Sequence, residues 1–313
     1  MGNKMMLTEY LKKAEQRCAE VMASFCTDAI HPEELKIGTL EYFNRGGKRL
    51  RPAILMLSAG ALGGEECEKA SAEAACAVEL FHTFTLIHDD IIDNDPTRRG
   101  GKSVHTLVSD MFEKKEPSRE NRNEYGRDIA ILAGDMLHAT SVSMMLKSAE
   151  KNCFSLKTVL KITNLLETEC ISGVLDGEAL DTKAGLISQG SLPFSVGTFE
   201  DTFEIMEKKT GVLFSFAARA GAMLGLNTDD ENTPEVVAIG KFANLCGIAF
   251  QLRDDILGIT ADEKKLGKPV GSDIREGKRT VILQKAYERS SEKEKEVLEK
   301  IVGNKAATLQ EIE

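Results

Sequence analysis

The chain has 313 residues, with 50 Asp and Glu against 40 Lys and Arg, a net charge of −10, 42% hydrophobic residues and no Trp. The apolar fraction excludes a disordered chain, and the absence of Gly/Pro repeats or low-complexity tracts excludes a fibre. The acidic balance makes the protein a poor binder of nucleic acid or anionic membrane, and the length suffices for one large core.

In chain order, Met1 to Tyr10 holds no apolar run of signal-peptide kind. Asn44 to Pro52 is a basic, glycine-containing cluster, Asn-Arg-Gly-Gly-Lys-Arg-Leu-Arg-Pro. The proline predicts a helix start just after Arg51, with Lys48 and Arg51 at an anion-attracting N-terminus. Ala72 to Asp93 has apolar residues at spacings of three and four, a helix. Asp95–Ser103 reads as a linker and Glu113–Arg127 as a charged surface loop. Asp128 to Ala149 is a further helix. Its most apolar stretch is broken by Asp135 and His138, so it reads as buried, with no stable membrane insertion.

Thr182–Thr198 and Ala261–Lys278 are two more expected linkers. Between them, Thr233-Pro234-Glu235 is a helix start, a capping hydroxyl followed by Pro at the first helical position. Seven scattered cysteines without Cys-x-x-Cys fit reduced thiols and a cytoplasmic protein. Few segments alternate as strands do. The expectation is an all-α bundle, one domain over 1–313, with no composition break.

Chemistry concentrates at His82 to Gly100. Asp89, Asp90 and Asp93 form Asp-Asp-x-x-Asp. On a helix Asp89 and Asp93 stand one turn apart on one face, with His82 two turns earlier. Like charges at that spacing repel, and a divalent cation reverses the penalty. Mg²⁺ fits, because it takes carboxylate oxygen together with substrate phosphate. Arg98, Arg99, Gly100, Gly101 and Lys102 follow at once, bases for phosphate on a glycine turn. A second acid pair, Asp254-Asp255, closes Phe250-Gln251-Leu-Arg-Asp-Asp. Gln251 is one turn before Asp255. The two acid centres are expected to flank one polyanion. Lys208-Lys209-Thr210-Gly211 precedes an apolar run, and Lys264 to Thr280 is a Lys-, Gly- and Asp-dense loop suited to closing over phosphate. Each cluster taken alone is compatible with ordinary surface charge.

Together and in order, these motifs resemble the trans-type short-chain isoprenyl diphosphate synthases, the farnesyl and geranylgeranyl diphosphate synthases, from about Glu41 to Thr280. The resemblance implies an isoprenoid-synthase helical bundle around a deep cavity. It implies head-to-tail joining of isopentenyl diphosphate to an allylic prenyl diphosphate, with two or three Mg²⁺ per site, in a homodimer. It assigns Asp89, Asp93 and Asp254 to the metal, with Asp90 and Asp255 in support. Arg98, Lys209 and Lys268 then hold the allylic diphosphate, and Lys48, Arg51, His82 and Arg99 the isopentenyl diphosphate. Thr210 and Gln251 line the site and Lys278 closes it. The resemblance also implies that the departed diphosphate takes the proton, so no side chain is assigned as general base.

Product length becomes a question of depth. Phe84, five residues before Asp89, sits about 7.5 Å down a helix, with Thr85 beside it. Archaeal geranylgeranyl synthases resemble this Phe-Thr pair, which predicts a C20 product. Farnesyl (C15) and geranylfarnesyl (C25) products are the alternatives.

Some positions depart from the family pattern. Gly258 stands where many relatives have a third Asp, and Glu178 where they have Gln. The 113–127 run looks like an insertion, and an end at Glu313 implies a truncated last helix. A class I terpene cyclase is the nearest rival. It lines its pocket with aromatics and needs no second diphosphate site, whereas this chain lacks Trp and keeps Lys48 and Arg51. A non-catalytic partner subunit commonly loses the first Asp motif or the basic anchors, and both are present.

Overall fold

The computed structural model describes residues 2–25, 29–151, 153–188, 199–260, 271–278 and 280–312. These residues are overwhelmingly helical, as the periodicity predicts. The strands among them are Thr97–Arg98 (β1) and Gly101–Lys102 (β2), an antiparallel pair. The chain forms two compact units, Met1–Thr168 with Leu213–Ala243, and Glu169–Val212 with Asn244–Glu313.

The first unit contains α1 (Gly2–Ala23), α2 (Glu33–Asn44), α3 (Leu50–Ala70), α4 (Ala72–Ile92), α5 (Val104–Met111), α6 (Arg119–Lys147), α7 (Leu156–Leu165) and nearly all of α10 (Val212–Leu226). Its centre is α4, packed against α6, α3 and α1. The sequence of α4 explains its place. Ala72, Ala74, Ala75, Cys76 and Ala77 are buried beside Val78, Leu80, Phe81, Phe84 and Ile87, and a helix apolar on several faces must be surrounded. Small residues let neighbours come close. A Cβ added at Gly134 of α6 would lie 2.2 Å from His88 Nε2, and one at Gly221 of α10 would lie 2.1 Å from the Leu55 carbonyl of α3. Ser141 Oγ of α6 donates to Ala77 O of α4 at 2.8 Å.

The second unit holds α8 (Ile171–Ser188), α9 (Phe199–Met206), the second half of α11 (Pro234–Thr260) and short helices at Ser272–Glu276, Val281–Arg289 and Glu292–Ile301. One small core there joins Ile274, Leu283 and Val302. A π-helical turn, Glu207–Gly211, leads out of α9. By length and composition α6 and α11 are apolar enough to cross a membrane, but α6 packs against α4, α5 and α2, which makes it a core helix of its unit.

Several boundaries differ from expectation. Helix α3 starts at Leu50, before Arg51 and Pro52, with Arg49 left-handed at φ 46°. Proline is tolerated there because the first N–H groups of a helix have no intrahelical partner. The predicted loop 113–127 is helical from Arg119, where Ser118 Oγ caps Asn121 N. The predicted linker at 182–198 is helix as far as Ser188. The expected start at Pro234 is observed.

Candidate active site

Helix α4 carries the first acid motif at its C-terminal end, where the helix dipole is negative and a cation is favoured. Asp89 and Asp93 are half-buried, with Asp93 as the C-cap. Asp90, at 1% exposure, turns inward. It is bonded by the Tyr42 hydroxyl, and Arg98 donates to its Oδ1 from Nε at 2.6 Å and also from Nη2. Arg98 Nη2 also reaches Asp89 Oδ2 at 2.9 Å and Asp95 Oδ2 at 3.4 Å. Burial pushes Asp90 up to about 6, against the pull of Arg98 and the Tyr42 hydrogen bond. Burial also disfavours the Arg98 charge, but Asp90, Asp89 and Asp95 more than reverse this. The Tyr42 hydroxyl accepts from Val104 N at 3.1 Å, so one buried oxygen ties α2, α4 and the start of α5.

Seven residues before Asp89, His82 meets the basic cluster. Arg51 Nη1 donates to His82 Nε2 at 3.0 Å, and the guanidinium lies 4.7 Å from the Phe214 ring centroid. Burial, then the charges of Arg51, Arg99, Arg98 and Arg49, holds His82 well below the usual histidine range. The ring is therefore neutral near pH 7 and accepts at Nε2. Lys48 is exposed at the start of α3. Arg99, left-handed at φ 53°, donates through Nη1 to the carbonyls of Tyr42 and Gly46, each at 2.6 Å. The adjacent arginines thus diverge, Arg98 toward Asp89 and Asp90, Arg99 toward the Gly46 loop.

In the second unit the π-turn carries Lys209 and Thr210. Such turns recur at functional sites. Lys209 Nζ is held between Glu178 Oε2 at 2.8 Å and Asp181 Oδ2 at 2.7 Å of α8. Gly177 permits this approach, since a Cβ there would lie 2.5 Å from Lys209 N. Thr210 Oγ1 donates to Gln251 Oε1 at 2.9 Å, and Gln251 Nε2 to Asp255 Oδ1 at 2.9 Å. Asp255 is buried and Asp254 half-buried. Burial first, then Asp273, Asp254 and Asp181, pushes Asp255 up to about 6. Lys278 Nζ lies 3.1 Å from Glu276 Oε2. Lys268 lies outside the described residues.

Among the described residues no three His, Cys, Asp or Glu side chains converge into a metal cage. Mg²⁺ does not need one, because it is commonly held by one or two carboxylates with waters and substrate phosphate. The oxygen-only donors and the crowded carboxylates around Asp255 fit that ion.

Sequence reasoning put Gln251 one turn from Asp255, and the two are hydrogen-bonded. It missed Tyr42, Asp95, Asp181 and Glu79. Glu79 is 2% exposed and bridges Arg49 and Arg99. Its signal was present as a lone acid in Ala74-Ala-Cys-Ala-Val-Glu-Leu-Phe81. A carboxylate in such a run must find a cation partner.

A family model described as polyprenyl synthetase matches residues 33–313. The geranylgeranyl diphosphate synthase of Sulfolobus acidocaldarius is 39% identical over 279 residues, covering 86% of this chain and 72% of the relative. The crystal structure of geranylgeranyl pyrophosphate synthetase from Pyrococcus horikoshii superposes with a TM-score of 0.77 at 30% identity, covering 100% of this chain and 84% of the other. The Corynebacterium glutamicum geranylgeranyl pyrophosphate synthase, solved with isoprenyl diphosphate and magnesium, gives 0.78 at 26% identity, covering 98% and 84%. The chain therefore belongs to the polyprenyl synthetase family of prenyltransferases, as a short-chain trans-type isoprenyl diphosphate synthase.

The Tyr42 hydroxyl generates a direct expectation. Tyr42→Phe leaves Asp90 and Val104 N each one bond short in a buried place, so chemical denaturation should show a loss of about 1–3 kcal/mol. An unchanged midpoint would contradict the network.

Proposed function

We propose that the protein condenses isopentenyl diphosphate head-to-tail with allylic diphosphates of C5 to C15, giving mainly geranylgeranyl diphosphate (C20). The observation that carries this reading is the divergence of Arg98 and Arg99 from one turn. It supplies separate cationic anchors for two diphosphates, one beside the metal-fitting acids and one beside Lys48, Arg51 and His82. The names of the similar proteins support C20.

Asp89 and Asp93 of the first unit and Asp254 of the second are the proposed Mg²⁺ ligands, with Asp255, bonded by Gln251, in support. Asp90 acts through Arg98. A divalent cation held by these carboxylates would supply positive charge against the leaving diphosphate. Arg98, Lys209 and Lys268 bind the allylic diphosphate and stabilise it as the carbon–oxygen bond breaks. Lys48, Arg51 and Arg99 orient the isopentenyl diphosphate so that its double bond reaches the allylic cation. His82, neutral and accepting from Arg51, fixes that guanidinium. Thr210 positions Gln251, and Lys278 belongs to the closing segment. The apolar body of α4 keeps water from the cation. The proton leaves to the departed diphosphate.

Phe84 and Thr85 set the depth for the growing chain. Phe84 is buried in an aromatic group, 5.1 Å from Phe81, 5.3 Å from His88 and 5.2 Å from His138 between ring centroids. Thr85 is half-buried one turn before Asp89. A homodimer is supported by Ile131, Leu132 and Leu146, apolar and exposed on α6. Six free cysteines among the described residues fit the reducing cytoplasm.

Labelled isopentenyl diphosphate supplied with Mg²⁺ and C5, C10 or C15 starters should yield C20 diphosphate by chromatography. Folded protein that condenses none of them would favour the partner-subunit reading. Phe84→Ala should extend products beyond C20, and an unchanged profile in folded variant would remove Phe84 from the floor. Mg²⁺ with inorganic diphosphate should raise Tm together, since ligand at 100 times its Kd adds about 2.7 kcal/mol. Asp93→Asn should weaken that rise, and an equal rise in the variant would take Asp93 off the metal.

A further inference from the structure

We propose that Glu79 is the positioning residue of the isopentenyl diphosphate subsite, holding Arg49 and Arg99 so that two separate loops present one anion-binding surface. The proposal rests on the condensation reading above. Glu79 Oε1 accepts from Arg49 Nη1 and lies 3.4 Å from Arg99 Nη2. The two arginines come from different places in the chain, one at the start of α3 and one in the turn between β1 and β2. Both have left-handed backbones, φ 46° at Arg49 and 53° at Arg99. A non-glycine residue persists in that region only when its surroundings over-determine it.

The surroundings do so here. Arg49 Nη2 donates to Phe43 O at 2.7 Å, and Arg99 Nη1 donates to Tyr42 O and Gly46 O. Each guanidinium therefore bonds the carboxylate with one nitrogen and the Tyr42–Gly46 backbone with another. Glu79 is the shared point. It sits on α4 one turn before His82, which receives Arg51 two residues beyond Arg49. Lys48 directly precedes Arg49 and Arg51 follows two residues later, so the backbone that Glu79 fixes through Arg49 also carries the exposed Lys48 and the His82-bound Arg51.

Charge decides between a clasp and a neutral strut. One carboxylate faces two guanidiniums, which leaves the cluster net positive and complementary to a diphosphate. Removing the carboxylate charge sets Arg49 and Arg99 against each other and frees both loops. The opposite end of α4 is held separately, by Asp90 on Arg98. Loss of Glu79 is therefore felt by one diphosphate and spared by the other.

The test compares wild type, Glu79→Gln and Glu79→Asp by steady-state kinetics, with each substrate varied in turn. Calorimetric titration with isopentenyl diphosphate in Mg²⁺ buffer accompanies it. Glu79→Gln should raise KM for isopentenyl diphosphate about tenfold and weaken its binding in parallel, with the allylic KM within about twofold. Glu79→Asp, which keeps the charge, should recover part of the loss. Equal rises in both KM values, or an unchanged isopentenyl KM, would overturn the proposal. If the Gln variant does not fold, an unchanged isopentenyl KM in Glu79→Asp overturns it. Wild type that binds isopentenyl diphosphate but forms no product would refute the condensation reading alone. Weaker binding by Glu79→Gln would then still support the clasp.

Discussion

The site in the first unit depends on buried carboxylates meeting guanidiniums along one apolar helix. A charge inside a low-dielectric core is tolerated only when paired and hydrogen-bonded. Helix α4 places two such acids, Glu79 and Asp90, eleven residues apart, a rise of about 16 Å. Each captures an arginine from outside the helix. Breaking a pair of this kind by removing one partner typically costs about 3–5 kcal/mol, because the other charge stays buried. The pairing therefore fixes Arg49 and Arg99, which lie outside helix and strand, and the two-residue strand that carries Arg98.

Tyr42 shows how the two ends are joined without being merged. Its carbonyl accepts Arg99 and its hydroxyl contacts Asp90, which in turn holds Arg98. The left-handed Arg99 and Gly100, at φ 53° and 75°, turn the chain so that neighbouring arginines serve different partners. In the second unit the same economy recurs on polar groups. Thr210, Gln251 and Asp255 form a relay, and Lys209 rests between two acids of α8.

Much of the fold was legible because helix periodicity and apolar content agree. Helix α4 was read from Ala72 to Asp93 and observed from Ala72 to Ile92. Gln251 next to Asp255 follows from their one-turn spacing alone. The chemistry of the acid and base clusters was legible as residue types in order. The partners were not. Asp90 reads in sequence as a supporting acid of the metal motif, and what the sequence does not report is its burial on Arg98 and Tyr42; adjacent positions on a helix point about 100° apart, so Asp90 leaves the face that Asp89 and Asp93 share. Glu79 pairs with residues thirty positions before and twenty after it, a spacing no local pattern reports. Local charge at 113–127 suggested a loop, but the Ser118 cap and the packing of α6 extend the helix through half of it.

The claim that α4 sorts two diphosphates by splaying Arg98 and Arg99 is tested most directly by exchanging each arginine for lysine and measuring both KM values. Lysine keeps the charge and loses the planar fork. Arg98→Lys should raise the allylic KM, and Arg99→Lys the isopentenyl KM, each by about tenfold with the other nearly unchanged. Variants that raise both constants alike, or in the crossed order, would contradict the account.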